Sequence, residues 1–132
     1  MGTRADFYVG TGESAEWLGS LAFDGYRIDE MKKEHAARTP DNAACWAIKT
    51  AKTEAEYRDS VAALLKINDD ATLPEHGWPW PWEDSTTTDY AYAFTEGACK
   101  PFPWGKGADW PNMRERQNVT FGKRSGLIVV GG

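Results

Sequence analysis

The spacing of apolar positions changes several times along the chain, and each change marks an element. Residues 6–9 (DFYV) are aromatic or β-branched and run into Gly10-Thr11-Gly12, which predicts a short strand and a turn. Over residues 17–23, Trp17, Gly19, Leu21 and Phe23 recur with period two, placing them on one face of a second strand with Leu18, Ser20 and Ala22 on the other. Asp24-Gly25 ends it. Residues 29–38 (DEMKKEHAAR) switch to helix formers with acids ahead of bases, the order the helix dipole favours, and Thr39-Pro40 stops that helix. A short helical piece follows over 42–51. The clearest signal comes next: Thr53 and Glu56 have capping-box spacing, and Tyr57, Val61, Leu64 and Leu65 fall at i, i+4, i+7 and i+8, so a helix is predicted over 54–67.

Alternating proline in LPEHGWPWPW (73–82) forbids a regular helix and favours an extended, polyproline-like loop. In DYAYAF (89–94), Tyr90, Tyr92 and Phe94 lie on one side and the alanines on the other, a strand pattern with Gly97 as its turn and 98–102 as the returning partner. Residues 103–112 read as a long loop, and VTF (119–121) and LIVV (127–130) around a glycine-bounded turn read as a terminal hairpin. The expected architecture is α+β: a mostly antiparallel sheet with two or three helices packed on one face, in a single domain spanning 1–132.

Composition supports one core. The chain has 132 residues, 41% of them hydrophobic and 17 aromatic, enough for a core without metal or disulfide. A net charge of -5 argues against the broad basic surface that binding to a phosphate backbone requires, so no direct nucleic-acid partner is expected. No apolar run reaches membrane-spanning length and the N-terminus lacks the apolar stretch of a signal peptide, which points to a cytoplasmic protein with no membrane association. In that compartment Cys45 and Cys99 are expected to be reduced, and the Asn118-Val119-Thr120 sequon to be idle.

Chemical motifs are sparse. Gly10-Thr11-Gly12-Glu13-Ser14-Ala15 fits the spacing of a dinucleotide-binding loop, but a strand pattern rather than a helix follows it, so it reads as a hairpin turn. Gly122-Lys123-Arg124-Ser125 lacks the glycine five residues earlier that a Walker loop needs; Gln117 stands there. The two histidines, His35 and His76, fall on a helix and a distant loop, too dispersed to suggest a metal site, and no serine or cysteine sits in a nucleophile motif. No catalytic residue, metal or cofactor is expected. Gly131-Gly132 matches the tails of ubiquitin-like and sulfur-carrier proteins in two residues only, the chain is long for that family, and a frayed strand end is the simpler reading.

Charge is distributed unevenly. Residues 1–66 carry 9 bases and 11 acids, residues 67–99 carry 7 acids and no base, and residues 100–132 carry 6 bases and 2 acids. The acidic block is also the aromatic block. The candidate partner-binding residues are therefore Trp78, Trp80, Trp82, Glu83, Asp84, Asp89 and Tyr90: aromatic side chains dominate binding energy, and acids beside them steer a basic partner. A competing account has the tryptophans closing the core under solvated acids.

In MGTRADFYVG, EWLGSLAFDGY and ATLPEHGWPWPWEDSTTTDYAYAF, the chain resembles a family of small proteins that recur in proteobacterial genomes, often in phage or prophage regions, and that have no assigned activity. Residues 28–52 fit the resemblance least and are expected to be a variable helical insertion. A phage context implies an accessory protein that binds and blocks a host component. The function expected from residues and resemblance together is a non-enzymatic protein-binding module, a phage-encoded inhibitor of a host anti-phage defence component, docking on a host protein with a basic surface. The alternative is a small-molecule or nucleotide-binding protein, or small enzyme, with Trp78, Trp80 and Trp82 as the walls of a pocket for a planar ligand.

Overall fold

The computed structural model describes residues 3–116. Its strands are β1 (Ala5–Val9), β2 (Glu16–Leu21), β3 (Ala71–Thr72), β4 (Tyr90–Thr95) and β5 (Ala98–Pro103), and its helices α1 (Arg27–Glu30), α2 (Lys33–Ala36), α3 (Pro40–Thr50) and α4 (Glu54–Ile67). The strands form one sheet in the order β3-β2-β1-β4-β5. Neighbouring strands are antiparallel except β1 and β4, which run parallel at its centre. The fold is α+β, as the sequence predicts.

Helices α1 to α4 gather on one face, and the helical residues 113–116 lie on the other, where Met113 packs. Ala5, Phe7, Leu21, Tyr92 and Phe94 of the sheet pack there against Ile28, Met31, Cys45, Ile48, Tyr57, Val61, Leu64 and Leu65. The predicted stripe of α4 is its buried face. Its start is capped as the spacing implied: the Thr53 hydroxyl accepts from the Glu56 backbone N–H at 3.1 Å, while the Glu56 carboxylate reaches one residue further back, to the Lys52 N–H at 2.9 Å. Segment 28–52 supplies Ile28, Met31, Ala44, Cys45 and Ile48 to this same core.

Three local expectations are corrected. The helix predicted over 29–38 is broken into α1 and α2, because Met31 and Lys32 are extended and Met31 turns into the core. The Lys49 ammonium stabilises the break by donating to the carbonyls of Asp29 at 2.6 Å and Met31 at 3.0 Å, which helix geometry leaves open at such an end. In β2 the single alternating face does not exist. Trp17 pairs with Tyr8, Gly19 with Phe7 and Ser20 with Asp6, so Leu18 is the extra residue of a bulge. The bulge puts Trp17 on the same face as Ser20, opposite Leu21, and because the strand ends at Leu21, Phe23 lies outside it and is exposed. Gly19 fits this point because a Cβ there would lie 2.5 Å from a Leu65 methyl and 2.8 Å from the Thr72 carbonyl oxygen. Within the proline-rich loop, residues Pro74–His76 form one 3-10 turn rather than a purely extended path. Strand β3 has no counterpart in the sequence reading.

The hairpin β4–β5 turns at Glu96-Gly97, both with positive φ, as a two-residue loop requires. Gly10 and Gly12 likewise occupy positive φ between two strands, so the GTGESA segment is a hairpin turn. Cys45 and Cys99 are free thiols. Among the described residues, no helix is long and apolar enough to cross a membrane. The predicted terminal hairpin, Gly122-Lys123-Arg124-Ser125, the sequon and Gly131-Gly132 lie outside the described residues.

Candidate functional site

The other face of the sheet is covered mainly by loops, with the helical residues 113–116 beside them, and its chemistry is different. Side chains of β1 alternate, so Phe7 faces the helices while Asp6 and Tyr8 face the loops. Because β1 is central, Asp6 is 0% exposed. Such a carboxylate needs donors, and they converge on it. Ser20 donates to Oδ1 at 2.6 Å, the Trp80 indole N–H to the same oxygen at 2.7 Å, and Ser85 to Oδ2 at 2.7 Å. Behind them stands a second rank: Trp17 Nε1 lies 3.0 Å from the Ser20 oxygen and donates to it. With the Ser85 proton committed to Asp6, the Tyr8 hydroxyl donates to Ser85 at 2.7 Å. Burial pushes the Asp6 carboxyl above its ordinary value, and the hydrogen bonds pull it only part of the way back.

This network fixes the proline-rich loop. Trp80 is anchored on Asp6, Trp82 donates to the Thr88 hydroxyl at 3.0 Å, and Trp78 donates to the Trp82 carbonyl at 2.7 Å. All three indole N–H groups point inward. Trp78 is buried with Tyr8, Trp17, Trp110 and Met113, while Trp80 and Trp82 are partly buried against that cluster. Trp80 and Trp82 are stacked, with centroids 5.5 Å apart and planes 16° from parallel. The Arg4 guanidinium lies over both rings, 5.7 Å and 5.5 Å from their centroids.

The candidate acids are not equivalent. Glu83 is exposed, and its carboxylate makes no hydrogen bond or ion pair among the described residues. Asp84 accepts from the Thr86 N–H at 3.0 Å and the Thr86 hydroxyl at 2.6 Å, capping the Ser85–Thr87 turn. Asp89 accepts from the Arg4 backbone N–H at 2.8 Å and faces its guanidinium at 3.8 Å. Tyr90 lies on the helix face, half-buried and stacked on Tyr92. The structure thus brings Trp80, Trp82 and Asp89 together around Arg4 and leaves Tyr90 on the opposite side of the sheet. Bases from elsewhere also approach the acidic block: Arg114 donates to the Pro81 carbonyl at 2.9 Å, Lys100 pairs with Glu96 at 2.5 Å, and Arg116 lines with Asp84 a cleft of about 330 Å³.

Sequence reasoning missed Asp6, Ser20, Ser85, Thr88 and Trp104. An acid opening an otherwise apolar strand was the available signal for Asp6. Trp104 had none. It is 53% exposed and sits at φ 58°, a left-handed conformation rare for a bulky residue. The turn that holds it is pinned: the Trp104 N–H donates to the Asp89 carbonyl at 2.8 Å, and the Gly105 carbonyl accepts from the buried Trp110 indole at 2.8 Å. Gly105 itself lies against the Ser85 carbonyl with no room for a Cβ.

Among the described residues, no group of three or more His, Cys, Asp or Glu side chains is placed to hold a metal ion. In comparisons with protein-family models, curated proteins and solved structures, nothing matches this chain.

Proposed function

We propose that the protein is a protein-binding module that docks through the loop layer of residues 78–89 and 102–106 on a partner with a basic surface. The observation that carries this reading is Trp104: a bulky side chain half in solvent, held in a strained conformation by a turn whose backbone is tied to the Asp89 carbonyl and to the buried Trp110 indole. Strain of this kind costs on the order of 1–3 kcal/mol and persists only where the surroundings impose it. An aromatic side chain so presented loses little freedom on binding, which is what makes tryptophan effective at interface centres. Glu83, on the 78–89 loop, supplies exposed negative charge for steering. An inhibitor of a host component, of the kind suggested by the resemblance to phage-borne proteins, would work in this way.

The alternative, a planar ligand held between tryptophan walls, is less well supported. Trp80 and Trp82 stack on each other and are covered by Arg4, so a planar ligand would have to displace it. The test is capture of the partner by tagged protein from host lysate, its identification by mass spectrometry, and binding kinetics of variants against it. Trp104→Gly should accelerate dissociation by about 30-fold, the scale of an interface hot spot, without lowering the melting temperature. Glu83→Lys with Asp84→Asn, which keeps the Thr86 cap, should slow association and flatten its salt dependence. Wild-type kinetics in both variants would refute the reading.

A further inference from the structure

Three of the residues singled out from sequence, Trp80, Trp82 and Asp89, meet at one point in space, and that point is occupied by a guanidinium. From this we infer that they form an arginine-binding clasp, filled by Arg4 in the free protein and surrendered to an arginine of the partner on docking. The inference rests on the docking function proposed above and names the chemistry of one contact within it.

The clasp is built before any ligand arrives. The Trp80 ring is set by its hydrogen bond to buried Asp6, and the Trp82 ring by its hydrogen bond to Thr88. The Trp82 backbone is held in turn by the Trp78 indole. The result is a nearly parallel aromatic pair with its polar edges consumed inside the protein, so the group above it meets ring faces. Ring faces attract cations, and a planar, weakly hydrated guanidinium suits them better than an ammonium. Asp89 adds a carboxylate at 3.8 Å from the Arg4 guanidinium nitrogen.

Arg4 is a displaceable occupant. Its backbone is fixed, with its N–H on Asp89 and its carbonyl accepting from the Tyr90 N–H at 3.0 Å. Its side chain is 46% exposed, and the described contacts of the guanidinium are the two rings and Asp89 alone. It can therefore swing into solvent without disturbing the sheet. An intramolecular occupant competes at high effective concentration, so it weakens binding of an external arginine by the factor with which it fills the clasp. Cation–π contacts of this exposure imply a factor of about 2 to 30.

The experiment uses the full chain and a fluorescein-labelled hexa-arginine peptide, with hexa-lysine and hexa-citrulline peptides as controls. Anisotropy gives affinity, and the indole N–H signals of Trp80 and Trp82 in nitrogen-15 spectra locate the contact. Arg4→Ala should bind hexa-arginine about 2- to 30-fold more tightly than wild type, with both indole signals shifting. Lys106→Ala, which removes the same charge from an exposed position elsewhere in the docking layer, should not reproduce that gain. Hexa-lysine should bind more weakly and hexa-citrulline not at all. Arg4→Gln, which keeps a side chain of similar length without charge, should behave as Arg4→Ala does and guards against a folding defect. The inference is overturned if Arg4→Ala and Lys106→Ala tighten binding equally, if affinity is unchanged, or if the shifted signals lie away from Trp80 and Trp82. Each of those outcomes leaves the docking function intact, because that is judged separately by Trp104→Gly and the Glu83 variant against the captured partner.

Discussion

The two faces of the sheet are covered by different physics. On the helix face, Phe7, Leu21, Tyr57, Val61, Leu64 and Leu65 are withdrawn from water with few side-chain hydrogen bonds, so its stability follows buried apolar area and shape. On the loop face, Tyr8, Trp17 and Trp80 are organised through donors that end on one buried carboxylate. Apolar contact is non-directional and lets helices settle wherever area is buried, whereas a buried acceptor accepts only donors in particular places. An irregular loop is therefore as well positioned as a helix here: its indoles are located by hydrogen bonds instead of by backbone periodicity.

That comparison can be broken most forcefully at Leu64, which is fully buried in the helix face. Leu64→Asp places an unpaired charge there and should cost on the order of 5 kcal/mol, enough to yield insoluble protein. A soluble variant with unchanged melting would show that α4 does not pack as described.

Asp6→Ala is the corresponding change on the loop face. It strands the donors of Ser20, Ser85 and Trp80 and should cost about 3 kcal/mol in chemical denaturation. Asp6→Asn, which keeps an acceptor oxygen for the Ser20 and Trp80 donors, should recover part of that loss, because fewer donors are left orphaned. The helix face offers no such recovery, and equal losses in the two Asp6 variants would mean that the network is not organised around Asp6.

The pH dependence sharpens the contrast further. Asp6 titrates above its ordinary value of 3.8 in the folded chain, so between that value and the raised one the native state binds more protons than the unfolded state. By linkage, stability conferred by holding this proton is present at the acid side and lost as pH rises through the window. Wild type should therefore gain stability relative to Asp6→Asn as pH falls from neutrality into that window. Glu16, held low by Arg58, has the opposite sign but is common to both proteins and cancels in the difference. Parallel profiles would remove the burial argument for Asp6.

The smallest effects are expected at the thiols and the exposed acid. Burial pushes Cys45 up to about 11 and Cys99 up to about 12, so both stay protonated near neutrality and should react slowly with thiol reagents until the protein unfolds. Dithiothreitol should leave the melting temperature unchanged. Glu83→Lys should move stability by no more than about 0.5 kcal/mol, as for an exposed side chain outside any network. A larger shift would place Glu83 in the loop-face network and remove it from the free surface.

What the chain determined by itself is the local part of this design. The α4 stripe of Tyr57, Val61, Leu64 and Leu65, its Thr53 cap and the hairpin at Glu96-Gly97 were legible because short-range spacing, hydrogen bonding and backbone sterics decide them. The break at Met31, the bulge at Leu18 and the burial of Asp6 were decided only in three dimensions. Each depends on partners distant in sequence: Lys49 for the break, Leu65 and Thr72 for the glycine beside the bulge, and Trp80 and Ser85 for the carboxylate. The same holds for the site. Composition marked an acidic aromatic segment, but the parallel pairing of β1 with β4 carried Asp6 to the sheet centre and Arg4 to Asp89. That pairing turned the indole N–H groups inward, toward a buried acceptor 74 residues away from Trp80, and so determined which aromatic faces remained at the surface.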